Sequence, residues 1–433
     1  MTDDEWAGHA TTLSDVVCLS REDQVDTVTF MLTFLEYPTP PLSILLDESA
    51  GARERSVVFR AFHAFKWLGT ARLDVIIKHD TSGLIRLILK KAWTNILKWM
   101  KYLLANDHAV SVVDQDPVKT SQWMIGFTCA FLCDMCEVGC FLDEIMQDTA
   151  LSILVVTAYT RQDVEVLISL DKAYAFSDAP TLVLTRFIAQ LTIPFMLGTP
   201  HAAIDLLRGK ERGIVNMALQ HLKNVPKMES GNDAAFRKIR LHLTLLLLMD
   251  EVESIKSLLS KSSTVSQVVS SLKYAIDIHS IPSSILSQDS SLFETTIQSS
   301  LQYLDVVFTR RRADLAIRTA LSDRVEQALL ALTRAHNENG YDDASGVSML
   351  LARFASYTCW RTVVGSVVRC VGRAFTRDPI LHQYRTLGRQ WSLVRRYAME
   401  RFICKYLFDE AYRRYGVTCA NVCYSITHSA HLS

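Results

Sequence analysis

The stretch VDTVTFMLTFLEYPTPP (25–41) carries apolar residues at Val25, Val28, Met31, Leu32 and Leu35. Steps of three and four residues put these side chains on one side of an α-helix. The prolines that follow forbid its continuation, so the segment predicts an amphipathic helix that ends near Tyr37. The same spacing recurs along most of the chain, and only short segments alternate with period two. It predicts helices at about 54–68, 84–105, 117–147, 149–158, 180–197, 201–223 and 233–249. Beyond these come 251–261, 264–278, 290–309, 313–336, 343–375 with a break near Ser356, and 379–415. SDAPT, LGTP and VPKMESGND are the clearest interruptions.

The expected fold is therefore all-α. More than a dozen medium helices cannot all touch one core, because single cores stop growing at roughly 250–300 residues. This favours an irregular α-solenoid of armadillo or HEAT type over a large helical bundle, although no repeat of fixed period is visible. Serine is dense in SKSSTVSQVVSSLK and SIPSSILSQDSSLF, and its hydroxyl competes for backbone partners, so helices there are expected to be poor. Four regions follow: a helical region 1–253, a Ser-rich helical connection 254–309, a basic helical region 310–415 and a flexible tail 416–433. Residues 310–414 hold nineteen Lys and Arg against ten Asp and Glu.

With 49% apolar and 21% charged residues and a formal net charge of zero, the 433-residue chain has the balance of a folded protein, and overall charge names no partner. The longest apolar runs, LHLTLLLLM (241–249) and QWMIGFTCAFLC (122–133), fall short of the ~20 residues needed to span a membrane. The acidic start MTDDEWAGHA lacks the features of a secretory signal, so the expectation is an intracellular protein, in cytoplasm or nucleus, with reduced cysteines. Signatures for nucleotide phosphate, dinucleotide, serine-hydrolase and zinc-protease chemistry are absent. The basic runs TRRRAD (309–314) and RGKER (208–212) lack interleaved aromatics and read as solvated helix ends rather than nucleic-acid contacts. No small-molecule substrate is indicated, and no catalytic residue is assigned. His63, His79 and His108 stand apart in sequence and receive no role.

Two cysteine groups invite a metal reading. Cys129, Cys133, Cys136 and Cys140 fall at i, i+4, i+7 and i+11. On one helix they form a stripe whose ends lie about 16 Å apart, at 1.5 Å per residue, whereas zinc thiolates sit ~2.3 Å from the ion. Among Met124, Phe127, Leu132 and Phe141 the stripe reads as core packing. Trp93, Ile96, Leu97, Met100, Leu103 and Leu104 likewise read as a core stripe. Near the end, Cys419, Cys423, His428 and His431 offer suitable zinc ligand types. Their C-x3-C and H-x2-H spacings, with four residues between the pairs, fit one ion poorly, and a solvated terminus is the competing reading.

The segment YTCWRTVVGSVVRCVGRAF (357–375) precedes a helix from LHQYRTLGRQWSLVRRYAMERF to FDEAYRRYG, and that helix leads into CANVC. This order resembles a family of large helical proteins of mushroom-forming fungi that carry a MYND-type zinc finger at the C-terminus. Trp360, Arg361, Val363, Val364, Trp391, Arg401, Cys419, Asn421 and Cys423 carry the resemblance. For full-length members it implies two zinc ions held by seven cysteines and a histidine, and capture of a short proline-containing peptide. The finger pattern does not follow Cys423, so the expectation is the helical body without its finger and with no cofactor in this chain. The leading expectation is a non-catalytic helical scaffold or adaptor for another protein. A zinc-finger adaptor is the alternative, and an all-α enzyme using a stripe cysteine as nucleophile the third.

Overall fold

The computed structural model describes residues 20–41, 52–106, 117–139, 141–164, 166, 179–192, 207, 209–227, 232–279, 290–310, 313–339, 344–384 and 386–415. Among these residues the chain is all-helical and no strand occurs. It divides into two compact units, residues 1–224 and 225–433.

The first unit contains α1 (Arg21–Thr33), α2 (Ala52–Thr70), α3 (Leu73–His79), α4 (Leu84–Ala105), α5 (Pro117–Glu137), α6 (Leu142–Gln147), α7 (Thr149–Thr160), α8 (Ala179–Thr192) and α9 (Glu211–Asn224). Its centre is the pairing of α2 with α5, flanked by α8 and α3. The close approach depends on Gly69, because a Cβ there would lie 2.5 Å from the Phe127 carbonyl oxygen. Around it, Phe65 meets Phe131 edge-on at 5.9 Å and Trp93 stacks on Phe141 at 4.1 Å. The ends are fixed by polar contacts. Asp148 accepts from the Leu151 N–H at 3.0 Å, capping α7, and pairs with Lys101 of α4. The Trp99 indole N–H donates to the Tyr37 carbonyl at 3.0 Å, which secures the chain leaving α1.

The second unit contains α10 (Asn232–Leu248), α11 (Glu253–Leu259), α12 (Ser262–His279), α13 (Ser290–Phe308), α14 (Asp314–Ser322), α15 (Val325–Asn339), α16 (Ala344–Tyr357), α17 (Arg361–Arg377) and α18 (Thr386–Tyr415). Each helix packs chiefly on others near it in sequence: α10 on α13, α13 on α12 and α16, α14 on α12 and α17, and α18 on α16 and α17. Arginine–carboxylate pairs join segments distant in sequence. They are Arg310–Asp250, Arg353–Asp305, Arg373–Glu326, Arg334–Asp378 and Arg361–Asp409.

Several expected boundaries change. The single helix expected over 117–147 stops at Glu137 and resumes at Leu142, because Gly139 and Phe141 take positive φ values of 68° and 60°. The helix expected over 313–336 breaks around Arg324, where φ is 60°. The short α3 answers to no expected helix. Where it is described, the Ser-rich sequence is helical, within α12 and the start of α13, with Val265, Val268, Val269 and Leu272 buried, and residues 280–289 lie outside the described residues. Its Ser271, Ser299 and Ser300 hydroxyls donate to the carbonyls four residues back, which keeps them compatible with a helix interior.

Candidate functional site

Among the described residues the cysteine stripe lies in the core. Cys129, Cys133 and Cys136 are buried on α5, and Cys140 lies outside the described residues. Burial pushes the Cys133 thiol up to about 12 and the Cys136 thiol up to about 11, despite the positive charge of Arg186 nearby. Thiols held so far above neutral pH are poor nucleophiles. The stripe on α4 is likewise core: Trp93, Ile96, Met100, Leu103 and Leu104 are buried. Of the basic runs, Arg310 is spent inside the second unit, where it reaches Asp250 and donates to the Lys256 carbonyl at 2.6 Å and Ser260 Oγ at 2.7 Å. Cys419, Cys423, His428 and His431 lie outside the described residues, as does His108. Among the described residues no group of three or more His, Cys, Asp and Glu could hold a metal ion, and no helix is long and apolar enough to cross a membrane.

The feature that packing leaves unexplained is the outer face of α18. This helix runs antiparallel to α17, since Arg361 pairs with Asp409 at one end and the Arg395 guanidinium lies 4.7 Å from the centre of the Phe375 ring near the other. The inner face of its first half is buried through Leu387, Trp391, Val394 and Ala398. Gly388 lets the preceding segment 381–384 lie against the start of α18, because a Cβ there would collide with the Leu381 carbonyl oxygen. Trp391 anchors the inner face to α15 by donating from Nε1 to Thr333 Oγ1 at 3.1 Å.

Beyond Ala398 the pattern reverses. Met399, Phe402, Ile403, Tyr406 and Leu407 recur at steps of three and four, the spacing of a buried stripe, yet all five are exposed. Tyr406 is 60% exposed, Leu407 55% and Ile403 53%. At 100° per residue they occupy an arc of about 140°, and Leu393 and Tyr397 are exposed on the adjoining side. Charges bound the arc along the axis. Arg396 pairs with Glu400 at 2.9 Å, and Glu410 holds Arg414 at 2.8 Å. A face of this kind can exclude water against a complementary surface.

No protein-family model, no curated protein and no solved structure matches this chain. Sequence reasoning placed α18 but passed over its outer stripe. The signal was present in the 3-4 spacing of Met399, Phe402, Ile403, Tyr406 and Leu407, which alone does not say whether the stripe is covered.

Proposed function

We propose that the chain is a non-catalytic helical scaffold, built in the manner of an irregular α-solenoid, that engages another protein through the outer face of α18. The supporting observation is the exposed apolar stripe from Met399 to Leu407. Solenoid ends that face water carry polar outer surfaces, and an apolar one calls for a cover. A photo-crosslinking amino acid at Tyr406, compared with one at the exposed Arg369 of α17, tests the reading in cell extract. A crosslinked protein obtained at Tyr406 and not at Arg369 supports it. Equal or no capture at the two positions removes it.

The zinc-finger adaptor remains a separate proposal that rests on the order of residues from Trp360 to Cys423. It requires the natural protein to exceed 48.9 kDa and to carry zinc, so the intact mass and metal content of the endogenous protein decide it. The enzyme reading has less support, since the buried thiols of α5 are held in their protonated form.

A further inference from the structure

The α18 face has a property that points to its occupant. Arg396, Met399, Ile403, Leu407 and Glu410 follow one another at spacings of three, four, four and three residues. That series reads the same in both directions about Ile403. At 100° per residue the five positions fall within an arc of about 80°, so they form one narrow ridge. All four interior and N-terminal members are exposed, and Glu410 is partly so.

From this symmetry we infer that the cover is a second copy of this chain, joined through antiparallel pairing of two α18 helices about a two-fold axis at Ile403. The inference rests on the α18 face being the interaction surface proposed above. In an isologous interface residue i of one copy meets residue j of the other, and j meets i. Ile403 then meets its own counterpart and Met399 meets Leu407 of the other copy. Arg396 of each copy stands opposite Glu410 of the other, which places opposite charges at both ends of an apolar centre. In a parallel pairing like charges would face one another instead. Phe402 and Tyr406 flank one side of the ridge.

Charge and area both bear on a self-pair. α18 carries seven Arg and Lys against three Asp and Glu, so two copies meet against a mutual repulsion that the Arg396–Glu410 contacts between copies and salt both reduce. The five exposed apolar side chains from Met399 to Leu407 present on the order of 500 Å² per copy, against ~800 Å² per partner in a standard interface. The aliphatic stems of the exposed Arg413 and Arg414 lie beside the end of the ridge and supply further contact.

Sedimentation velocity of the purified full chain, from nanomolar to high micromolar concentration, tests the pairing. The expected species is twice the 48.9 kDa monomer mass. Ile403→Arg should weaken association by about thirtyfold or more while leaving the helical circular dichroism unchanged, as for a residue at the centre of an interface. Arg396→Glu and Glu410→Arg should each weaken it about tenfold, and the double variant should regain most of the loss because the opposed charges are restored between copies. A chain that stays monomeric with its helix content intact overturns the inference. So does a dimer indifferent to Ile403→Arg, or a double variant no tighter than the single ones. If a crosslinker at Tyr406 nonetheless captures a different protein from extract, the scaffold reading survives and only the self-pairing falls.

Discussion

Trp391 is fully buried, and its indole N–H finds the Thr333 hydroxyl. Trp391→Ala should cost about 3–5 kcal/mol, read as a lower urea midpoint, whereas the exposed Trp360→Ala should stay within about 0.5 kcal/mol. Two titrating residues of the first unit act in opposite directions. Burial lowers His63 from 6.5 to about 4, helped by Lys66, and raises Asp134 from 3.8 to about 7 with the Asp74 charge adding to the rise. Backbone N–H groups of Asp74 and Leu73 and the charge of Arg72 partly counter that rise. Between pH 4 and 6.5 the unfolded chain binds the proton that folded His63 refuses, so this residue makes stability rise with pH. From about pH 4 to 7 folded Asp134 keeps a proton that the unfolded chain has lost, so this residue makes stability fall. The two slopes offset over their shared window. Asp134→Asn should therefore leave a stability that climbs from pH 4 to 6.5, and His63→Phe one that declines from pH 4 to 7. Denaturant midpoints collected across that range check both signs.

At the scale of the helix, hydrophobic spacing located α4 over the expected residues, because an uninterrupted 3-4 pattern admits one phase. It ran two helices together at 117–147, because the apolar pattern carries on through Val138 and Phe141 while the backbone turns at Gly139. Arg324 adopts a left-handed conformation that favours glycine, and so gave no warning of the break between α14 and α15. The seven residues of α3 span two turns, too few for a period to stand out. The burial of the α5 cysteines was legible from their spacing. The exposed stripe of α18 was not, since the same periodicity serves a covered face and a bare one. Two predictions belong here. Gly69→Ala should force α2 from α5 and cost about 1–3 kcal/mol, read from the urea midpoint. Asp148→Ala removes the cap of α7 and the partner of Lys101, and should cost about 1–2 kcal/mol by the same measure.

Across the whole molecule, the two units bury separate sets of residues, with Phe65, Trp93 and Phe131 in one and Phe236, Phe308 and Trp391 in the other. Separate cores predict separable unfolding. In a calorimetric scan Gly69→Ala should lower one transition and Trp391→Ala the other, and a single transition moved equally by both would show the units to be one cooperative body. The arginine pairs of the second unit also bear on how it is made. Each reaches across only 44 to 60 residues of chain. At a synthesis rate of about 5–20 residues per second, the second partner of a pair leaves the ribosome roughly 2–12 seconds after the first. Arg310 can close on Asp250 before Arg353 has been translated, and of the carboxylates in these five pairs Asp409 emerges last. The described helices of the unit are thus able to pack in the order of translation, with the apolar face of α18 joining after the other eight.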